Sequence, residues 1–398
     1  MRDLVVDLFA GPGGWSHALT VLGVRDVGLE WDEWACKTRA AAGQLTIRTD
    51  VAMYPARIFA GRVKGFIASP PCQAWSMAGK RLGLLDQPLV HQAVADLAVG
   101  HDTRERLLAA CRDPRSLLAA EPMRYLHALH QAGEPEWIAM EEVPDVLPLW
   151  QQYAAILRSW GFSVWTGIIN SADFGVPQTR RRAILLASRV RTAAPPEPTH
   201  ARLPEPESLF GPGRERWVSM AEALGWGATD RPVPTVCAGG GPGGGPEPFP
   251  SGARKTLTDA RDRGAWKHHP ASGHALGDPA AEQRWAWSLR SNNQSNATVR
   301  RTDEPAGTLF FGHRANECMW VAEPASASAP GSAAPDPIRI TAVEAGVLQS
   351  FPADYPWQGN KGQAFSQIGN AVPPRLAAHL LAPHLGKTLS RNDFTLAA

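Results

Sequence analysis

The sequence predicts an α/β fold: a large, doubly wound domain on a parallel sheet, interrupted by a long loop-rich insertion and completed by a C-terminal return. Three observations predict it. Short apolar runs alternate with longer amphipathic stretches over 1–186; Pro/Gly-rich text replaces that rhythm between about 187 and 337; helical spacing resumes at 338. At 398 residues the chain can bury two or three domains, placed here at 1–186, 187–337 and 338–398.

Element by element, LVVDLFA reads as a buried strand, 15–23 as a helix, VGLE as a strand and 33–43 as a helix. A third strand ends near Asp50, and FIASPP, WIAMEEV and RAILLAS supply three more. The insertion carries AAPPEPTHARLPEPE, GGGPGGGPEPFP and EPASASAPGSAAPDP, so 239–250 and 323–337 are expected to be mobile. RPVPTV at 231–236 and EPAGTL at 304–309 share a P-x-x-T-apolar pattern that suits two edge strands, each entered through a proline. ITAVEAGVLQSF and RLAAHLLAPHL read as helices of the return.

Composition narrows the class. Apolar residues make up 44% and charged residues 20%, and no apolar run approaches the roughly 18 residues of a membrane span. The N-terminus enters its first strand at once, without the regions of a signal peptide, which points to the cytoplasm. The five cysteines, Cys36, Cys72, Cys111, Cys237 and Cys318, are scattered with no C-x-x-C pair, so neither a disulfide framework nor a metal site is suggested. Net charge is only +2, but it is unevenly spread: 15 basic against 18 acidic residues over 1–150, 4 against 1 over 151–186, and 10 against 6 over 251–314. Arginine outnumbers lysine 33 to 7, a bias that coding can explain and that also suits bidentate contacts to phosphate and guanine.

Five segments carry chemistry. Val5–Ser16 is a strand running into a glycine turn, where Gly11 and Gly13 let backbone approach a ligand or simply make a tight turn. Glu30 and Trp31 follow at the end of the second strand, where a carboxylate can accept ribose hydroxyls and an indole can pack on a purine, and Asp50 follows at the end of the third. Ser69-Pro70-Pro71-Cys72-Gln73 presents a thiol at the C-terminal edge of a strand, with its backbone fixed by two prolines; nucleophilic use would require an activating environment. Trp137–Pro144 is a strand ending in Glu141 and Glu142, which alternation sends to opposite faces, so at most one shares a site with Cys72. Asp173–Arg182 places Gln178 beside Arg180, Arg181 and Arg182, suited to an acidic or carbonyl-bearing substrate or to a protected strand edge. Gln367–Pro374 reads as a turn heading the last helix.

In this order the segments resemble the DNA (cytosine-5) methyltransferase family over about 1–186 and 300–385, with no motif in 187–300. Pro-Cys-Gln and Gln-Ile-Gly-Asn-Ala-Val-Pro-Pro are the most specific runs. The resemblance implies a Rossmann-like methyltransferase domain with an inserted target-recognition domain, S-adenosylmethionine as cofactor and double-stranded DNA as partner. It implies that Phe9, Gly11, Gly13 and Pro71 cradle the cofactor, that Glu30 binds its ribose, that Trp31 packs on adenine and Asp50 accepts from the adenine amino group, and that Asn370 and Val372 close the methionine end. Cys72 becomes the nucleophile toward C6 of a flipped cytosine, Glu141 the neutral acid at N3, and Arg182 the contact at O2, with Arg180 and Gln178 in support. It further implies a monomeric protein at the bacterial nucleoid, with a cognate restriction endonuclease as a separate chain.

Three features depart from the family. Glu142 stands where the family has Asn, Trp75 where it has Phe, and the 69 positions from Cys72 to Glu141 suggest an insertion near 83–112. A tRNA cytosine-5 methyltransferase and a catalytically silent DNA-binding regulator are the other readings. A nicotinamide-dependent oxidoreductase, suggested by the first glycine turn alone, would leave Pro-Cys-Gln and the arginine run without a role. The polar residues Arg290, Asn292, Asn293 and Gln294 make the basic part of the insertion the expected reader of DNA sequence.

Overall fold

The computed structural model describes residues 3–75, 82–208, 212–224, 286–290, 297–309, 318–323, 338–389 and 394. The stretches 231–236, 239–250 and 324–337, together with Asn292, Asn293, Gln294 and Cys237, lie outside the described residues.

Seven strands form the large sheet: β1 Leu4–Leu8, β2 Asp26–Glu30, β3 Leu45–Arg48, β4 Val63–Ala68, β5 Trp137–Glu142, β6 Ser163–Asn170 and β7 Arg181–Ser188, in the order β3-β2-β1-β4-β5-β7-β6. Its first helices are α1 Gly14–Val21, α2 Glu33–Ala41, α3 Leu82–Ala98, α4 Arg104–Leu108, α5 Glu121–His130 and α6 Leu147–Ser159. Beyond β7 come β8 His200–Ala201, β9 Glu215–Arg216, α7 Met220–Ala223, β10 Ala286–Arg290, β11 Val299–Arg301, β12 Met319–Glu323 and β13 Ile338–Arg339, then α8 Ala342–Leu348, α9 Lys361–Asn370 and α10 Pro374–Leu385.

The central strands are apolar on both faces because helices cover both faces. Val6, Leu8, Phe66, Ile138 and Met140 pack toward α3, α5 and α6. Val5, Ile67, Trp137 and Ala139 pack toward α1 and α10. The sheet is mostly parallel, and here the expectation of a parallel sheet is corrected: β7 runs antiparallel to both β5 and β6. A short link holding the 3-10 turn Ser171–Phe174 joins β6 to β7, and only antiparallel neighbours can be joined so briefly. The sequence reading missed β6 because SVWTGIIN, at the sheet edge, is neither a continuous apolar run nor a clean alternation.

A second sheet, in the order β11-β10-β12-β13, is antiparallel throughout. Leu289 and Trp320 from this sheet share a core with Val218, Ile340, Leu348 and Ile368. Residues 340–348, with Phe365 and Ile368, therefore pack with the insertion, whereas Phe351 and Tyr355 pack beside Ala42 and Ala371, and Val372 and α10 join the core of the large sheet. EPAGTL is not a strand: Ala306 makes a single bridge to Gln178, joining the insertion to the arginine run. The helix expected in ITAVEAGVLQSF is α8, started by a capping box between Thr341 and Glu344.

Candidate active site

After β1 the chain winds outward through β2 and β3 and then crosses to β4, so the loops at the C-terminal ends of β1 and β4 diverge and leave a crevice. On one side of it, Phe9 (φ 59°), Gly11 (φ 54°) and Gly13 (φ 99°) turn β1 sharply into α1. A Cβ on Gly13 would sit 1.8 Å from Gln44 Oε1, and one on Gly14 2.0 Å from the Val372 carbonyl oxygen, whereas one on Gly11 would meet nothing within 4 Å. Gly11 thus lines open space while its neighbours are packed.

Glu30 is fixed by backbone donors: Gly11 N–H donates to Oε2 at 2.7 Å, and Trp31 and Asp32 N–H donate to Oε1 at 2.9 and 2.7 Å. Burial pushes its carboxyl up from the ordinary range, and these three bonds pull it back. Trp31 is 71% exposed. Asp50 accepts from Ala52 N–H at 2.9 Å, closing the turn after β3.

The C-terminal return seals this half. Tyr355 Oη donates to the Pro12 carbonyl at 2.6 Å, and Thr38 Oγ1 donates to Gln367 Oε1 at 2.6 Å. Val372 is buried, and Asn370 is exposed. The expectation of a turn heading the last helix is corrected in part: Gln367–Asn370 form the last turn of α9, which a capping box between Asn360 and Gln363 starts, and only Ala371–Pro373 link it to α10. Gly14, Gln44 and Tyr355 were missed in the sequence; the doubled Gly13-Gly14 was a signal for the first, and neither of the others stands in a recognisable pattern.

Across the crevice, Pro71 (φ −63°) delivers Cys72 to the start of a 3-10 turn, Cys72–Ala74, beyond β4. Trp15 Nε1 donates to Ser69 Oγ at 2.9 Å, tying α1 to this loop. Glu141 and Glu142 end β5 and both are buried. Arg182 Nε lies 2.9 Å from Glu141 Oε1, and Arg180 Nη1 donates to the Gly369 carbonyl at 3.1 Å. Gln178 is buried, and its Nε2 donates to the Leu348 carbonyl at 3.5 Å. The structure thus brings Cys72, Glu141, Arg180 and Arg182 together, with Glu142 as a further member.

The face alternation expected of β5 holds along the strand, with Ile138 and Met140 in one core and Trp137 and Ala139 in the other. It does not isolate Glu142 from Cys72. Burial, reinforced by Glu142 more than by Glu141, pushes the Cys72 thiol up to about 11. Burial beside Glu141 pushes Glu142 up to about 8, and burial beside Arg182 lowers Arg180 to about 9. Glu142 Oε2 accepts from Val143 N–H. Glu142 Oε1 and Arg180 Nε are buried without a hydrogen-bond partner among the described residues, an arrangement suited to an incoming polar ligand.

The family model for C-5 cytosine-specific DNA methylase matches residues 4–90 and 108–385, so it runs through the insertion that shows no motif and skips 91–107, inside the segment expected to be inserted. The Type II methyltransferase M.DdeI of Desulfomicrobium norvegicum is 26% identical over 407 residues, covering 94% of this chain and 87% of its own. M.PspPI of Psychrobacter, another Type II methyltransferase, is 25% identical over 380 residues, covering 94% and 76%. Among solved structures, the S. pombe Dnmt2 methyltransferase superposes with a TM-score of 0.53 at 14% identity, covering 96% of this chain and 99% of that one, a likeness of fold. No helix among the described residues is long and apolar enough to cross a membrane. With a family match over most of its length, the chain belongs to the C-5 cytosine-specific DNA methylase family and is a DNA (cytosine-5)-methyltransferase.

Proposed function

We propose that this enzyme methylates C5 of a cytosine flipped out of duplex DNA, through a transient bond between Cys72 Sγ and C6. The observation that carries the reading is the convergence of one thiol, two buried carboxylates and two buried arginines at the strand ends facing the glycine turn.

The glycine side fits a nucleoside cofactor: Gly11 lines open space, Glu30 is held rigidly, Trp31 offers an exposed indole, and Asp50 stands at the next strand end. Phe9, Gly11, Gly13 and Pro71 would cradle S-adenosylmethionine, Glu30 its ribose, Trp31 and Asp50 its adenine, and Asn370 and Val372 its methionine end. S-adenosylmethionine supplies an electrophilic methyl group on a sulfonium.

Cytosine C5 is too electron-poor to take that methyl unaided. Cys72 therefore gives up its proton to solvent and adds to C6 as the thiolate, and the electron pair of the C5–C6 double bond shifts so that the ring becomes an enamine nucleophilic at C5. Glu141 stabilises this charge by donating at N3 and Arg182 by contact at O2, with Arg180 and Gln178 holding the pocket. After C5 is methylated, its proton leaves to a base, the C5–C6 double bond reforms and Cys72 Sγ is expelled. A cytosine stacked in a duplex cannot reach a thiol seated at the strand ends among buried carboxylates and arginines, so the base must leave the stack, at a cost of a few kcal/mol. We assign reading of the target sequence to 187–337, catalysis to 1–186 and 338–398, and an endonuclease of the same specificity as the separate partner of a monomeric, cytoplasmic enzyme.

Bisulfite sequencing of DNA and of tRNA from a host expressing the protein tests this reading. Protected cytosines within one short sequence context are expected. Protection confined to tRNA, or absent altogether, overturns it.

A further inference from the structure

The turn that carries Asp50 is held from behind by groups far away in sequence. Arg124 donates from Nη2 to the Val51 carbonyl at 2.6 Å and from Nη1 to the Tyr54 carbonyl at 2.9 Å. Tyr125 Oη donates to the Val51 carbonyl at 2.9 Å, and Arg104 Nη1 to the Ala52 carbonyl at 3.0 Å. Glu121, 3% exposed, bridges the two guanidinium groups, at 2.6 Å from Arg104 Nη1 and 2.8 Å from Arg124 Nε. Asp102 grips the other edge of Arg104 at 2.7 and 2.8 Å. Three carbonyls of the turn 50–54, those of Val51, Ala52 and Tyr54, are thus fixed to α4 and α5.

A turn that only linked β3 to the next element would need none of this, since its amide groups could face water. Charge-assisted bonds to backbone carbonyls, backed by a buried carboxylate, fix a loop closely. The side chain they fix is Asp50, whose Oδ1 is itself tied to Ala52 N–H. Arg104 also lies within 91–107, the stretch that the family model skips, so this contact is a feature of this chain's own insertion.

We infer that Arg104, Glu121 and Arg124 are positioning residues that set Asp50 against the cofactor's purine and so enforce adenine over other bases. The inference rests on the reading of Asp50 as acceptor from the adenine amino group. A fixed carboxylate facing that edge of a purine rewards an amino group and penalises a carbonyl.

The test uses the full-length protein and two probes, S-adenosylhomocysteine and S-inosylhomocysteine, in which oxygen replaces the amino group. The parent should prefer the adenine probe by about 10- to 100-fold, the range for a hydrogen bond to a charged group, and Asp50→Ala should abolish that preference. Arg104→Gln and Arg124→Gln should each reduce the preference at least fivefold while changing affinity for the inosine probe less than threefold. Arg104 is partly exposed and its variant is the milder of the two, so it decides the matter if Arg124→Gln fails to fold. Parallel weakening of both probes, or an unchanged preference, overturns the inference by reducing the cluster to a brace. If Asp50→Ala leaves the preference intact, the reading of Asp50 itself fails and takes the inference with it.

Discussion

The two sides of the crevice are built on opposite principles. On the β1–β3 side, Glu30 and Asp50 are fixed by backbone N–H groups, and Trp31 stands open to solvent. On the β4–β5–β7 side, ionisable groups are buried against one another: Glu141 with Arg182, Glu142 beside Cys72, Arg180 beneath α9. Burial displaces Cys72, Glu142 and Arg180 toward their neutral forms; it raises Glu30 as well, but there three backbone N–H bonds oppose it. The first side is preorganised by the chain alone. On the second, Glu142 Oε1 and Arg180 Nε are buried without a hydrogen-bond partner among the described residues.

The largest expected effect separates the two sides. Cys72→Ala should reduce methyl transfer below detection while S-adenosylhomocysteine binds within about threefold of the parent, since the binding elements other than Pro71 lie on other loops and the Pro71 backbone is left intact; single-turnover assays and equilibrium dialysis read both. Loss of binding as well would break the division. Next, Glu141→Gln should slow the single turnover by about 10²- to 10⁴-fold, the usual contribution of a positioned acid, and Glu142→Asn should cost far less. The reverse ranking would give the acid's role to Glu142. On the other side, Gly14→Ala would drive a Cβ to 2.0 Å from the Val372 carbonyl, a backbone atom that cannot swing away. Forcing the return apart should cost about 1–3 kcal/mol, seen as cofactor affinity weakened about tenfold or more, with the rate of Cys72 alkylation unchanged.

The buried side also carries a pH dependence of stability that leaves the chemistry at pH 7 untouched. Glu142 is buried and its pKa is raised from 4.5 to about 8, so between those values the folded protein holds a proton that the unfolded chain releases. The stability linked to this group is fully present below 4.5 and is lost as pH rises through about 8. Glu142→Gln keeps an acceptor for Val143 N–H and carries no charge. Its advantage over the parent in urea unfolding should grow by roughly 2–4 kcal/mol between pH 5 and pH 9. A constant difference would show that Glu142 is ionised throughout.

What was legible in the sequence is local: the ends of the apolar strands. Gly11, Gly13, Glu30, Asp50 and Cys72 were visible because each sits where an apolar run ends, and a parallel α/β sheet gathers its strand ends on one edge. Groups that meet only through tertiary structure were not. Tyr355 reaches Pro12 and Gln44 reaches Gly13 across gaps in sequence that no periodicity records. The antiparallel β7 was hidden because RAILLAS is as apolar as the parallel strands around it, and an apolar run carries no direction. EPAGTL looked like an edge strand because its proline and β-branched threonine fit one; its backbone instead bonds Pro177 and Thr179, bringing the insertion to the arginine run.

Covalent trapping reads whether Cys72 bonds to the target base. Duplex DNA with 5-fluorocytosine at the methylated position, incubated with the enzyme and S-adenosylmethionine, cannot lose fluorine as a cation. The adduct should therefore persist through denaturing electrophoresis and map by mass spectrometry to the peptide containing Cys72, and Cys72→Ser should give none. A denaturation-resistant complex undiminished in Cys72→Ser, or full methylation by that variant, would contradict the account.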